Sequence, residues 1–307
     1  MPKAVRLEEY GGVDVLKIVE VPRPEPGPDQ VLVQVKAAGI NPGEAKIRDG
    51  LLAALWPVTF PFGEGSDLAG VVVATGPGVT AFKAGDEVIG WTENRASHAE
   101  YVVTEAEKLT PKPPAVPWEV AGALYVAGAT AWAAVRAVNP SAGDTVVVAG
   151  AAGGVGSIAV QLAKQAGATV IGLASEPNHG WLRDHGVIPV TYGDGVEDRI
   201  RAAAPDGKVD AFVDTVGGDY VQLALDLGVA PSRVDTVANF EAVEKFGVKG
   251  DGSMAGSSAA VLAELAGAIA AGELEIPIFA TYPLDQVKDA YRRLAEGHLL
   301  GKIVLIP

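Results

Sequence analysis

The sequence predicts an α/β chain in which a β-rich domain is followed by a doubly wound parallel sheet. Three observations carry this. Short strand-like runs broken by Gly/Pro punctuation fill residues 1–122, strands and helices alternate from about Thr145, and a strand, glycine turn and helix follow one another without a gap at 145–167.

Taken in order, residues 4–7, 16–21, 31–37, 68–74 and 101–104 read as strands, separated by stretches such as 22–28 and Gly76-Pro77-Gly78. So many short strands imply a closed or sandwich-like β unit. Residues 116–135 are apolar, but Pro117, Glu119 and many Ala and Gly residues make them a poor membrane span, and a buried helix between the domains is expected. After Ala142-Gly143-Asp144, the run Val146-Val147-Val148 has the character of a buried parallel strand. Val155, Ile158, Ala159, Leu162 and Ala163 then form one apolar helical stripe, which Gly167 ends at C′. Later strands are expected at 168–173, 209–213 and 233–237, with helices at 196–204 and 220–227. A strand (276–281), a helix (284–296) and a last strand (302–306) close the chain and rejoin the first domain. The expected division is 1–122 completed by 273–307, with 123–272 between them, and no repeat is visible.

At 307 residues and 49% hydrophobic content, the chain is long enough for two cored domains. A formal charge of −14 argues against nucleic acid or an anionic membrane as partner. With no cysteine there is neither disulfide nor thiolate ligand, and the charged N-terminus MPKAVRLEEY lacks the core of a signal peptide. A cytoplasmic location is expected.

The turn Ala151-Ala152-Gly153-Gly154-Val155-Gly156 is a G-x-G-x-x-G fingerprint with alanine in its first place. Gly153 allows close approach of a pyrophosphate, Gly156 allows the helix to pack on the strand, and the helix start at Gly154 and Val155 offers unpaired N–H groups to phosphate. Dinucleotide binding is the expected function of this turn. An NAD-binding site places a carboxylate after the second strand, where this chain has Ala174 and Ser175. NADPH is therefore favoured over NADH, with Glu176 one residue further on as the opposing feature.

Several motifs in fixed order carry a wider resemblance: AAGINPGEAKIRDG (37–50), GSDLAGVVVATGPGV (65–79), FKAGDEV (82–88), AGATAW (127–132), the glycine-turn segment (142–164) and HLLGKIVLIP (298–307). The chain resembles the medium-chain dehydrogenase/reductase superfamily over nearly its whole length. Within it the chain is most similar to the zinc-independent, zeta-crystallin-like quinone oxidoreductases. The resemblance implies a GroES-like catalytic domain, a Rossmann cofactor domain, a cofactor cleft at their junction, and a homodimer.

Zinc-binding relatives carry Cys where this chain has Asn41 and His where it has Ser66, and their structural zinc lobe is missing; Asp67 alone makes no metal site. His98, His179, His185 and His298 are dispersed and form no ligand pattern. The resemblance puts Asn41 in the active-site cleft, together with a tyrosine whose position here is Lys46. That lysine is either a cationic donor to the reduced oxygen or a solvated surface group. Arg48 matches the family as an active-site residue or as half of an ion pair. Thr130 corresponds to a threonine on the nicotinamide side, or bonds back within its helix. Tyr192 corresponds to a tyrosine against the 2′-phosphate, or is a core aromatic. The family's basic residue after the second strand has no clear counterpart, with only Arg183 nearby, while Val216 and Ala238 are expected to line the cofactor crevice. Leu51, Leu52, Leu55, Trp56 and Phe60 suggest an apolar pocket wall.

The function expected is hydride transfer from NADPH, without zinc, to a quinone or an α,β-unsaturated carbonyl compound. An enoyl or 2-alkenal reductase of a biosynthetic pathway is the alternative, and a non-catalytic NADPH-binding protein the third reading.

Overall fold

The computed structural model describes residues 1–54 and 56–307. The chain forms two compact units: Met1–Val126 with Ser258–Gly297 and Lys302–Pro307, and Ala127–Ser257 with His298–Gly301.

In the first unit, β1 (Lys3–Leu7), β2 (Lys17–Glu20), β3 (Gln30–Gly39), helix α1 (Pro42–Arg48), β4 (Phe62–Gly63), β5 (Asp67–Thr75), β6 (Glu87–Trp91), β7 (Tyr101–Glu105), β8 (Leu109–Pro111) and helix α2 (Trp118–Gly122) come first. Strand β3 is central: it pairs antiparallel with β5 on one side and β7 on the other. Its alternate residues Val31, Val33 and Val35 pack with Leu68, Val72, Val88 and Val102 into one apolar core. The tail returns as expected, through β14 (Ile278–Pro283), α11 (Val287–Ala295) and β15 (Lys302–Ile306), with Val304 and Leu305 of β15 opposite Gly39 and Ala38 of β3. Residues 258–272, grouped with the parallel sheet on sequence, cluster with this first unit instead. Their helix α10 (Ala259–Ala270) buries Val261, Leu262, Leu265 and Ala266 and packs on β8 and β6.

The second unit is a five-stranded parallel sheet in the order β11 (Ile188–Val190), β10 (Thr169–Leu173), β9 (Thr145–Ala149), β12 (Ala211–Asp214), β13 (Val234–Thr236). Helices α4 (Gly154–Gln165), α5 (His179–Asp184), α6 (Val196–Ala203) and α7 (Tyr220–Asp226) alternate with these strands, and α8 (Phe240–Phe246) and α9 (Ser253–Gly256) follow. Every β9 residue is buried, as a strand covered on both faces requires. Gly156 is needed where α4 crosses the turn, because a Cβ there would lie 2.0 Å from the Gly150 carbonyl oxygen. Gly167, at φ +87°, closes the helix in the left-handed region.

One helix was expected across 116–135, and the structure divides it into α2 and α3 (Tyr125–Val138). Oδ1 of the buried Asp67 accepts the Val126 N–H at 2.6 Å, so a carboxylate satisfies a donor at the start of the second helix.

Candidate active site

Three β-strand ends and two helices of the first unit deliver a buried polar cluster. Past β3, Asn41 caps α1, with Pro42 in the first turn and Glu44 completing a capping box. The Asn41 N–H donates to Glu44 Oε2 at 2.9 Å, and its Nδ2 donates to Glu44 Oε1 at 3.3 Å and Asp67 Oδ2 at 3.1 Å. Its Oδ1 accepts from Lys302 Nζ at 2.5 Å. Both amide hydrogens of Asn41 are thus committed to carboxylates. Lys302 also donates to the Ile40 carbonyl at 3.1 Å and lies 3.4 Å from Asp67 Oδ2. Glu44 takes two further hydrogen bonds at 2.9 Å, from the Ser66 N–H and the Tyr291 hydroxyl.

Arg48 reaches the same cluster from the far end of α1. Its Nη1 meets Glu64 Oε1 at 2.8 Å and its guanidinium stacks 4.5 Å from the Tyr291 ring centroid, so the ion-pair reading of Arg48 describes its geometry. Burial pushes the Glu64 carboxyl up to about 8, against the opposing pull of Arg48. Asp67 is also raised by burial, with Lys302 opposing, and Tyr291 is raised by burial and by the charge of Glu44. His98 is fully buried, its Nε2 3.2 Å from the Gly39 carbonyl oxygen, and burial lowers its pKa. Lys46 is exposed on α1, and its side chain has no bonded partner among the described residues. The structure therefore brings Asn41 and Arg48 to one buried cluster and leaves Lys46 outside it.

Of the expected apolar wall, Leu51 is 74% exposed, Leu52, Trp56 and Phe60 are half-buried, and Leu55 lies outside the described residues. Phe60 packs edge-on against Tyr10, with ring centroids 5.0 Å apart. A cavity of about 480 Å³ opens beside this loop, lined by Arg6, Pro57, Val58, Pro61, Phe62 and Asn94 among others.

In the second unit the remaining candidates collect at the carboxyl edge of the sheet. Gly150–Gly153 follow β9, Ser175 follows β10, Tyr192 follows β11, Val216 follows β12 and Ala238 follows β13. Ligands bind α/β sheets along such an edge. Gly153 is the N-cap of α4, supplies no side-chain cap and forms a parallel bridge with Gly301; the N–H groups of Val155 and Gly156 have no partner among the described residues. A Cβ at Gly153 would meet only the Gly150 oxygen, at 3.3 Å, so the backbone there is open to a ligand. These features fit a dinucleotide pyrophosphate. Ser175 accepts from Asn178 Nδ2 at 3.3 Å, and Glu176 points outward, exposed. Tyr192 is 36% exposed, and its hydroxyl lies 2.8 Å from His298 Nδ1, so it is no core aromatic. Val216 is exposed and faces Gly150, while Ala238 packs by Gly217. Thr130 is buried in α3, and Gly256 of α9 fits closely over the neighbouring Ala129 backbone.

Glu44, Glu64, Tyr291 and Lys302 belong to the cluster without having been expected from sequence. The signal for Glu44 was present in N-P-G-E, a cap, a first-turn proline and an acid at the third helical position. Tyr291 and Lys302 carry no local signal, since the seating of α11 delivers the first and the distant pairing of β15 with β3 the second.

Family models agree with this architecture: residues 27–139 match the alcohol dehydrogenase GroES-like domain and residues 185–305 the zinc-binding dehydrogenase domain. A quinone oxidoreductase of Pseudomonas aeruginosa is 32% identical, covering 100% of both chains. An NADPH-dependent alkenal/one oxidoreductase of Arabidopsis thaliana chloroplasts is 34% identical over 99% of this chain and 79% of its own. Among solved structures, the quinone oxidoreductase of Coxiella burnetii superposes with a TM-score of 0.90 at 30% identity, covering 100% of this chain and 99% of that one. That of Escherichia coli, complexed with NADPH, gives 0.88 at 26% identity over 99% and 100%. A GroES-like unit joined to a parallel dinucleotide-type sheet defines an oxidoreductase of the medium-chain dehydrogenase/reductase superfamily. Within it, the chain belongs to the quinone oxidoreductase branch.

Proposed function

We propose that this protein is a zinc-independent, NADPH-dependent reductase of quinones and other conjugated carbonyl compounds, acting as a cytoplasmic homodimer. The observation that supports the reading is the open N-terminus of α4 at the sheet edge: the N–H groups of Val155 and Gly156 have no partner among the described residues, behind a glycine that leaves the backbone accessible. Gly153, Gly154 and Val155 would hold the pyrophosphate, Ser175 and Tyr192 the 2′-phosphate, and Thr130, Val216 and Ala238 would border the rest of the cofactor. When bound, the cofactor supplies a hydride to the acceptor. The protein's part is to align the acceptor, keep water out and stabilise charge on the acceptor oxygen.

Zinc independence is supported by the chemistry of the cluster. Lys302 bonds Asn41 and lies beside Asp67, so an ammonium stands among the side chains that would have to receive a cation, and it already occupies Oδ1, the atom through which Asn41 could ligate one. Asn41 then acts by fixing the β3–α1 junction. The relative described as an alkenal/one oxidoreductase supports acceptors with a conjugated C=C bond beside quinones. Following NADPH oxidation with a quinone, a 2-alkenal and an enoyl thioester tests the proposal. Consumption with at least one is expected; none with all three refutes it.

A further inference from the structure

The cavity beside the loop that precedes β4 is lined entirely by residues of the first unit, and among the described residues lining it Arg6 alone is charged. Arg6 belongs to β1 and is half-buried, and its Nη1 donates to the Val5 carbonyl at 2.9 Å. That bond uses one of the five N–H donors of a guanidinium. Among the described residues the Arg6 side chain makes no other hydrogen bond and no ion pair.

The strands around it set this guanidinium in place. Register puts Arg6 opposite Gly63 of β4, where a Cβ would stand 3.2 Å from Arg6 Nη1 and 2.4 Å from the Arg95 carbonyl oxygen. Glycine at 63 therefore makes the room the guanidinium occupies. Backbone bonds hold the walls: the Val5 N–H donates to the His98 carbonyl at 2.9 Å, and the His98 N–H to the Glu64 carbonyl at 3.0 Å. Tyr10, just past β1, accepts from the Val58 N–H at 3.4 Å and packs its ring on Phe60, which ties the loop to the same strand. The cavity is thus formed by the fold itself.

The acids nearest Arg6 along these strands are already engaged. Glu8, two residues on, pairs with Lys17 at 2.5 Å, and Glu64, which follows Gly63, pairs with Arg48 at 2.8 Å. Burial lowers the Arg6 pKa, yet a guanidinium keeps its proton near neutral pH. A half-buried positive charge therefore borders the cavity without a counter-ion, and an anion seated there would gain charge-assisted bonds. Most of the remaining lining is apolar, from Pro57, Val58, Pro61 and Phe62, and the volume of about 480 Å³ suits a small molecule. One cation among apolar walls matches a monoanion with an apolar body. A phosphate dianion calls for further cations or a row of backbone N–H groups.

We propose that this cavity is a binding site for a small organic carboxylate: the Arg6 guanidinium pairs with the carboxylate through two N–H donors, and Pro57, Val58, Pro61 and Phe62 cover the apolar body. The site shares no residue with the glycine turn of the second unit, and it stands whether or not the reductase reading holds. No bond is made or broken there. A neutral analogue lacks the charge and an inorganic anion lacks the body, so each keeps only half of the recognition.

The test titrates the full chain with 2-naphthoate, read by its own fluorescence and by calorimetry. Saturable one-to-one binding with Kd below about 1 mM is expected, with 2-naphthamide at least about tenfold weaker and no displacement by an equal concentration of inorganic phosphate. Arg6→Met keeps the apolar stem and removes the charge; it should weaken 2-naphthoate at least about tenfold at an unchanged thermal midpoint, with Arg6→Lys in between. Thr59→Glu, at an exposed lining position, offers Arg6 a carboxylate from the chain itself and should weaken 2-naphthoate to a similar degree. Absence of saturable binding to the parent overturns the proposal, as does affinity within about twofold of the parent in Arg6→Met. If Arg6→Met melts earlier than the parent, Thr59→Glu decides by the same criterion. Equal affinity for 2-naphthamide, or displacement by phosphate, overturns the assignment of a carboxylate with an apolar body.

Discussion

Replacing Glu64 by glutamine tests the buried cluster through the pH dependence of stability. Burial raises this carboxyl from 4.5 in the unfolded chain to about 8 in the folded protein, so the folded state binds the proton more tightly. The corresponding stability is fully present below the unfolded value and is lost as pH rises through about 8. At about 1.4 kcal/mol for every pH unit, a rise from 4.5 to about 8 corresponds to about 5 kcal/mol. Glutamine keeps the carbonyl that accepts from Arg48 Nη1 and cannot titrate. Urea denaturation of both proteins at about pH 5 and about pH 9 isolates the effect, since other groups titrate alike in the pair. The parent should lose several kcal/mol more than Glu64→Gln between these conditions. Parallel losses would refute a Glu64 carboxyl whose pKa is raised by burial.

Three further substitutions probe the two units. Gly156→Ala places a Cβ 2.0 Å from the Gly150 oxygen and should lower the thermal midpoint and abolish NADPH binding, read by calorimetry and nucleotide fluorescence; near-parent behaviour in both would contradict the packing of α4. Ser175→Asp puts a carboxylate at the end of β10 and should weaken NADPH at least about tenfold while sparing NADH, in side-by-side titrations; an equal effect on both nucleotides would remove Ser175 from 2′-phosphate recognition. Lys46→Met should leave kcat within about twofold, because the ammonium is solvated; a loss of about 10²–10³ would return Lys46 to the mechanism.

The parallel sheet was legible because its signals are local. Val146–Val148, the glycine turn and the apolar stripe from Val155 to Ala163 each state their own structure, and β9 and α4 follow them. The last strand, at 302–306, was equally plain from Ile303, Val304 and Leu305. The strands β4, β8 and β11 hold only two or three residues, too few to show a period, and the five-residue β6 was likewise absent from the strands expected. The polar cluster was hidden for a different reason. Asn41, Asp67, Tyr291 and Lys302 are brought together by the pairing of β15 with β3 and the seating of α11, and no spacing along the chain encodes such a contact. The division of residues 116–135 into two helices likewise depends on Asp67, a residue of another strand. Lys46 drew attention by its departure from the family pattern, whereas exposure, which decides how strongly its charge can act, is a property of the folded helix.

The account rests on hydride transfer from a nicotinamide to a conjugated acceptor without a metal. The most direct measurement uses NADPH carrying deuterium at C4, incubated with the protein, a chelator and an excess of a quinone or a 2-alkenal, followed by mass analysis of the reduced product. For the alkenal, the account predicts one carbon-bound deuterium in the product; for a quinone, it predicts loss of NADPH matched by quinol formed. Both should proceed at a rate the chelator does not change. NADPH consumption without label in the alkenal product, or activity lost to the chelator and restored by zinc, would contradict it.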